Sequence, residues 1–178
     1  SSLDKNARMR TYEEAFFWLA DARIANICYA ASEPSVGLSL SMEQTALKCY
    51  MADTGLLVTL AFSDNNDTDE DVYRAVLRGD IGLNEGMLTE NYVAQQLSAI
   101  GYPLHYWTRD NRAEIDFVVE RQGCVSAIEI KAGENARSRS LSSLKKSHPG
   151  VRLIRLSTKP FGMNDGLRSI PLYAAFCL

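Results

Sequence analysis

Hydrophobic and polar positions alternate along two neighbouring runs of the chain, residues 114–120 and 124–131. Val, Ile and Phe fill both runs, and Gly123 lies between them, where the chain can reverse direction. Because side chains of a strand point alternately to its two faces, the pattern predicts a β-hairpin with one core face and one polar face. The expected core face consists of Ile115, Phe117, Ile128 and Ile130.

The same kind of pattern divides the remaining chain into helices and strands. A period of three to four residues predicts helices over 11–22, 53–62, 70–78, 84–100 and 140–147. Apolar runs rich in β-branched residues predict strands over 24–30, 46–52, 104–109 and 151–157, with a loop at 32–41. The tail 170–178 should pack on the core as strand or helix. Strands that alternate with helices predict an α/β fold with a mixed central sheet flanked by helices.

The helix at 11–22 and the hairpin that follows it predict a separate N-terminal unit, residues 1–62, that is similar to the latter part of a winged helix. The expected apolar face of this helix is formed by Ala15, Trp18, Leu19 and Ala22. Its exposed face carries Glu13, Glu14 and Asp21, so we expect it to pack between domains rather than to bind DNA. An acidic linker and short helix, 63–80, should lead to a second domain, 81–178.

Composition is that of a globular protein, with 46% hydrophobic and 23% charged residues. No apolar run is long enough to span a bilayer and no signal peptide is visible, so we expect a cytoplasmic protein without a membrane partner. Four widely spaced cysteines and two histidines make a zinc site improbable and predict free, buried thiols.

Charge is distributed unevenly around a net value of −3. Residues 61–90 hold eight acidic and two basic side chains, and residues 131–159 hold eight basic and one acidic. The basic 131–159 segment could contact the phosphates of DNA or RNA, or it could be a solvated surface.

Carboxylates and one ammonium group gather on the polar face of the predicted hairpin. If its loop holds an even number of residues, Asp116 faces Ala127 and stands diagonal to Glu129, with Lys131 on the same side. Glu90 adds a carboxylate on the apolar stripe of the 84–100 helix, where it needs a partner, a proton or a metal ion. Alternatively, Glu90 reaches a basic residue at the helix edge, and the hairpin charges form a salt-bridge cluster.

The pattern Asp116, twelve residues, then Glu129-Ile130-Lys131 resembles the metal-binding core of the PD-(D/E)XK nuclease-like superfamily. The wider run resembles a domain of unknown function that follows the ATPase module of many prokaryotic AAA-type ATPases. The matching stretches are 86–94, 113–119, 128–133 and 169–173, with a further one at 47–56.

This resemblance implies a restriction-endonuclease-like fold in which Mg²⁺ or Mn²⁺ is held by Asp116, Glu129, the backbone carbonyl of Ile130 and Glu90. Lys131 would orient the attacking water or stabilise the developing charge during phosphodiester cleavage. The alternative is a non-catalytic regulatory or targeting module that keeps the nuclease fold. In either case the resemblance implies an ATPase module of the same protein as partner. This chain has no Gly-x-x-x-x-Gly-Lys-Ser/Thr loop for ATP, so we expect that module upstream.

Overall fold

A computed structural model describes residues 9–62, 74, 78, 85–109, 113–131 and 139–178. The helices in this part of the chain are α1 (Met9–Asp21), α2 (Thr54–Phe62), α3 (Glu85–Ala99) and α4 (Arg139–Ser147). The strands are β1 (Ala25–Ala31), β2 (Met42–Met51), β3 (Leu104–Arg109), β4 (Ala113–Arg121), β5 (Cys124–Lys131), β6 (Arg152–Ser157), β7 (Gly162–Asn164) and β8 (Leu167–Pro171). Short 3-10 segments span Leu38–Leu40 and Leu172–Cys177.

The eight strands form a single sheet with the order β2-β1-β3-β4-β5-β6-β8-β7. The pairs β1–β3, β5–β6 and β6–β8 are parallel, and the other neighbours are antiparallel. This arrangement confirms the predicted α/β fold with a mixed sheet and flanking helices. The β1–β2 hairpin belongs to the same sheet as the later strands, because β1 pairs directly with β3.

Two hydrophobic clusters cover the two faces of the sheet. Val93 and Leu97 of α3 pack with Phe117 and Ile128 on one face, called the α3 face below. Leu141 and Leu144 of α4 pack with the residues of the other face, called the α4 face. Both leucines are buried, as the helical pattern of residues 140–147 predicted. The core therefore lies in two layers separated by the sheet.

The central hairpin has the predicted loop parity, but its register differs from the predicted one by two residues. Phe117 pairs with Ile128 and Arg121 pairs with Cys124, so only Gln122 and Gly123 form the turn. Both turn residues have positive φ, 51° and 71°, as a two-residue turn between twisted strands requires. The predicted pairing of Asp116 with Ala127 is therefore wrong, because Ala127 pairs with Val118, and the diagonal position of Asp116 relative to Glu129 does not follow from this register.

The prediction that Ile115 and Phe117 share one core face is also wrong. Ile115 belongs to the cluster on the α4 face, whereas Phe117 belongs to the cluster on the α3 face. The register between β3 and β4 shifts by one residue, since His105 pairs with Val118 but Trp107 pairs with Ile115. This bulge gives β4 one extra residue and moves Ile115 to the opposite side of the sheet.

Two further predictions need correction. Ala15, Trp18 and Ala22 do not form the packed face of α1: Trp18 is 75% exposed, while Phe16 and Leu19 are half-buried. Both stripes have helical spacing, so the periodicity alone could not choose between them. The cysteines are free as predicted, but only Cys28 is buried and Cys177 is exposed.

Several other predictions can be compared only in part. Strand β2 begins four residues earlier than predicted, at Met42. The predicted linker at 63–80 and helix at 70–78 lie outside the described residues, except for positions 74 and 78. The winged-helix resemblance and the division at residue 62 stay predictions. No helix in the described ranges is long and apolar enough to cross a membrane.

Candidate functional site

Asp116 lies within the bulge of β4, where this strand separates from β5. Its Oδ2 atom accepts a hydrogen bond of 2.7 Å from the backbone N–H of Ile130. Burial raises the pKa of Asp116 to about 6, although the bond from Ile130 opposes this shift. The charges of Glu90 and Glu129 raise the pKa further and that of Lys48 lowers it. The carboxyl group is therefore held in place at a point where its negative charge is poorly compensated.

Glu129 projects toward the α4 face, because Ile128 and Ile130 on either side of it belong to the α3-face cluster. The residue is only 4% exposed. Its Oε1 atom lies 3.2 Å from Nζ of Lys131 on the same strand. Its Oε2 atom is buried and has no hydrogen-bond partner among the described residues. The Oε1 atom of this buried carboxylate therefore has an ionic partner, and the Oε2 atom has none among the described residues.

Arg155 stands directly beside Glu129, since the two residues pair in the parallel register of β5 and β6. Neighbours in register share a face of the sheet, so both side chains lie on the α4 face. The Nε atom of Arg155 is also buried without a hydrogen-bond partner in the described part of the chain. An unpaired acceptor and an unpaired donor therefore occur on adjacent strands.

Glu90 occupies the α3 face on the opposite side of the sheet. Its Oε2 atom accepts a hydrogen bond of 3.2 Å from the hydroxyl of Tyr50. The Tyr50 ring packs against Phe117 with 5.4 Å between centroids, which brings this pair next to Asp116. Burial raises the pKa of Tyr50, and the nearby charge of Glu90 raises it further, so this hydroxyl remains a donor to the carboxylate.

Lys48 provides a positive charge near these carboxylates. Its ammonium group pairs with Glu114 and lies 5.0 Å from the centroid of the Tyr106 ring. Burial alone would lower the pKa of Lys48, but the bond to Glu114 and the charges of Glu90 and Asp116 raise it above its usual value. Lys48 is therefore charged under physiological conditions and partly balances Asp116.

The four predicted site residues are not equally close together. Glu129 and Lys131 form an ion pair, and Asp116 bonds to the backbone of the intervening Ile130. Glu90 approaches from the other face of the sheet and bonds to Tyr50. Within the described ranges, no three Asp, Glu, His or Cys side chains are close enough together to hold a metal ion. The charges of both Glu90 and Glu129 act on Asp116, and that of Glu90 acts more strongly.

The donor set of Asp116 and Glu129 fits a hard divalent cation. Mg²⁺ prefers oxygen ligands and commonly takes one or two carboxylates while it keeps several waters. The unpaired Oε2 atom of Glu129 is a buried acceptor, and the pKa of Asp116 is raised mainly by burial and further by the charges of Glu90 and Glu129. A cation at this point would relieve both features.

Sequence reasoning missed three residues near the site: Lys48, Tyr50 and Arg155. Lys48 and Arg155 were detectable as charged residues with an apolar residue on each side within a strand, a pattern that often marks a partnered or functional side chain. Tyr50 carried no such signal, because its contact with Glu90 spans 40 residues and depends on how α3 packs over β2.

The basic 131–159 segment does not form one continuous surface in its described part. Arg152 and Arg155 point to opposite faces of β6, because they are three residues apart on a strand. Lys145 pairs with Asp165 at 3.2 Å. Residues 132–138 lie outside the described part, so contact of this segment with DNA or RNA stays a prediction.

Two family models match the chain. The first, "Domain of unknown function (DUF8612)", matches residues 1–69, and the second, "Domain of unknown function (DUF4143)", matches residues 85–175. The chain has no significant match among curated proteins or among solved structures. The second match includes Glu90, Asp116, Glu129 and Lys131, the four residues that the hairpin and helix patterns had indicated. Because it covers 91 of the 178 residues, the chain belongs to the DUF4143 family of domains of unknown function.

Proposed function

We propose that this chain binds Mg²⁺ or Mn²⁺ at Asp116 and Glu129 and hydrolyses phosphodiester bonds of nucleic acid. The proposal depends above all on the buried Oε2 atom of Glu129, which has no hydrogen-bond partner among the described residues. Asp116, whose pKa is raised by burial and by neighbouring carboxylates, supplies a second oxygen donor nearby. Uncompensated carboxylates at a break in a rigid sheet are typical of sites that bind a cation.

In this proposal each residue has a separate role. Asp116 and Glu129 bind the cation, the backbone carbonyl of Ile130 completes the protein ligands, and Glu90 acts through water from the α3 face. A cation bound there would polarise the phosphodiester and lower the pKa of an attacking water. The bond from the Ile130 N–H holds the Asp116 carboxylate in a fixed orientation.

Two cationic side chains on the α4 face would act on the substrate. Lys131 already contacts Glu129, so its ammonium is within reach of a water or phosphate oxygen bound beside that carboxylate. The unpaired Nε of Arg155 offers a donor to the phosphate on the neighbouring strand. Both groups would stabilise negative charge that develops during cleavage.

Cleavage of plasmid DNA and single-stranded oligonucleotides in Mg²⁺ or Mn²⁺ tests this proposal. We expect cleavage by the wild type and a loss of about 10²-fold or more for Asp116→Asn and Glu129→Gln. Asp165→Asn is a matched control, because Asp165 is exposed and pairs with Lys145 away from the site. Equal cleavage by the wild type and the two site variants would exclude the catalytic role.

A second candidate is a non-catalytic module that regulates or targets an upstream AAA-type ATPase. The observation that favours it is that side chains of the candidate site already form contacts that can stabilise the folded structure. Lys131 pairs with Glu129, Asp116 bonds to Ile130, and Lys48 pairs with Glu114. This candidate predicts that Lys131→Met destabilises the protein but leaves any metal or nucleic-acid binding unchanged. The nuclease proposal predicts that the same variant retains the metal and loses cleavage.

A further inference from the structure

A cleft of about 600 Å³ opens on the α3 face, at the end of the sheet away from Asp116. Its floor is formed by Val119, Ile128 and Ile154. Tyr102, which follows α3, and Met163 of β7 form part of its walls. The volume is in the range of sites that bind small organic ligands.

Three arginines surround this apolar floor. Arg152 neighbours Ser126 in the β5–β6 register, and Arg168 neighbours Ile154 in the β6–β8 register. Arg121 pairs with Cys124 across the hairpin. Residues paired in register share a face, so all three guanidinium groups border the same cleft. All three arginines are exposed, which leaves their donors accessible to a ligand.

No carboxylate side chain of the described residues pairs with the arginines of the cleft. No Asp or Glu is among the described residues that line the cleft. This contrasts with the net charge of −3 for the whole sequence. Because a concave surface lined by one sign of charge concentrates counter-ions, the cleft should attract anions.

One arginine is also held in position. The guanidinium carbon of Arg121 lies 5.5 Å from the centroid of the Tyr102 ring, within the range of a cation–π contact. Arginine recognises phosphate oxygens through two parallel hydrogen bonds, and a fixed guanidinium loses less conformational freedom when it does so. Ser126 adds a hydroxyl donor between Val119 and Arg152.

We propose that this cleft binds a small ligand that carries a phosphate group on an aromatic body, of the size of a nucleoside monophosphate. The arginines would bind the phosphate, and the apolar floor with Tyr102 would contact the base. The arginines are separate from the candidate metal centre, since Arg121 lies five residues along β4 from Asp116, about 16 Å at the rise of an extended strand. The floor residue Ile128 is next to Glu129 in sequence, but the two side chains point to opposite faces of the sheet.

Titration calorimetry of the full chain with AMP, adenosine and inorganic phosphate tests this proposal. We expect saturable binding of AMP, weaker binding of phosphate that competes with AMP, and no binding of adenosine. Arg152→Gln and Arg168→Gln should each weaken AMP binding about tenfold or more, since each removes charge-assisted hydrogen bonds. Arg152→Lys should retain part of the affinity because the charge remains.

Arg109→Gln serves as the matched control, because Arg109 is an exposed arginine at the end of β3 and does not line the cleft. It should bind AMP like the wild type, and so should Asp116→Asn, which separates this site from the proposed metal centre. Circular dichroism of each variant would confirm that the fold is retained. The proposal would be overturned if the chain did not bind AMP, or if the Arg152 and Arg168 variants bound AMP like the wild type. It would also be overturned if the chain bound oligonucleotides but not AMP.

Discussion

Asp116 is a side chain whose environment in the folded protein disfavours its charged form. The carboxyl group is partly buried, it has one backbone hydrogen bond, and its neighbours include two other carboxylates. A carboxyl group with a raised pKa in the folded state binds its proton more tightly there than in the unfolded chain. The charged form of Asp116 therefore opposes folding unless a cation compensates it.

The pH dependence of stability follows from this shift. The pKa of Asp116 rises from its usual 3.8 to about 6 on folding, so the folded state is the more protonated one between these values. The tighter binding of this proton stabilises the folded state fully below about pH 4, and this stabilisation is lost as the pH rises through about 6. The shift of the pKa corresponds to about 3 kcal/mol in the free energy of unfolding. We predict that Asp116→Asn is more stable than the wild type above pH 7 in metal-free buffer.

Urea denaturation across the pH range measures this difference. The advantage of Asp116→Asn should disappear near pH 4, because the wild-type carboxyl is then neutral as well. The Asn side chain can still accept the hydrogen bond from Ile130, so packing is preserved. Asp165→Asn should follow the wild type at every pH. A wild type that is more stable than Asp116→Asn above pH 7 would disprove the assigned environment of this residue.

The identity of these residues could be predicted from the sequence, but their contacts could not. Glu90, Asp116, Glu129 and Lys131 were recognisable because carboxylates and an ammonium interrupt apolar patterns. The bond between Tyr50 and Glu90 joins residues that are far apart along the chain, and no local periodicity carries that information. The pairing of Arg155 with Glu129 likewise depends on which strand lies beside β5.

The β3–β4 bulge shows the limit of sequence reasoning for individual elements. The pattern of hydrophobic and polar residues predicted the bounds of β3, β4, β5 and β6 to within one or two residues, because one or both faces of each strand are buried. It could not reveal the extra residue in β4, since a bulge is defined by the partner strand. As a result the sequence placed Ile115 on the wrong face.

The loop between β1 and β2 is hydrogen-bonded to the sheet through Glu120 of β4. The Oε2 atom of Glu120 accepts hydrogen bonds from the N–H groups of Gly37, at 2.8 Å, and Leu38, at 3.2 Å. Gly37 has a φ of +86°, a left-handed conformation that favours glycine at this position. Leu38 is buried in the cluster on the α4 face. This carboxylate thus orders a loop that lacks a regular partner strand.

We predict that Glu120→Ala lowers the free energy of unfolding by about 1–3 kcal/mol, because two partly buried donors lose their acceptor. Urea denaturation measures the loss, and limited proteolysis should show faster cleavage within residues 32–41. Glu120→Gln retains one acceptor oxygen and should be affected less. Glu43→Ala is the matched control, because Glu43 is exposed on β2. Equal stability and proteolysis of Glu120→Ala and the wild type would contradict this role.

Across the whole molecule, the two matched family segments meet in one sheet. Strand β1, from the segment matched at 1–69, pairs with β3, from the segment matched at 85–175. The buried Asn91 of α3 adds a second link, since it accepts a 2.8 Å hydrogen bond from the Met51 N–H and donates a 3.1 Å bond to the Met51 carbonyl. Such nonlocal pairing could not be predicted from patterns within each segment.

We predict that the chain unfolds in one cooperative transition rather than in two. Hydrogen exchange under native conditions should give the same opening free energy for the central amides of β1 and of β5. Asn91→Ala should lower that free energy for both strands together, by about 1–3 kcal/mol, because the Met51 amide groups lose their partner. Exchange of β1 and β2 through a separate, lower-energy opening would support an independent unit at residues 1–62 instead.

Binding of a divalent cation at Asp116 and Glu129 is tested most directly by calorimetric titration of the wild type, Asp116→Asn and Asp165→Asn with Mn²⁺. We predict one saturable site in the wild type and in Asp165→Asn, with a dissociation constant in the millimolar range or tighter. Binding to Asp116→Asn should be at least tenfold weaker, because one of the two carboxylate ligands is lost. Equal affinity of Asp116→Asn and the wild type, or no binding by the wild type, would contradict the proposed metal centre.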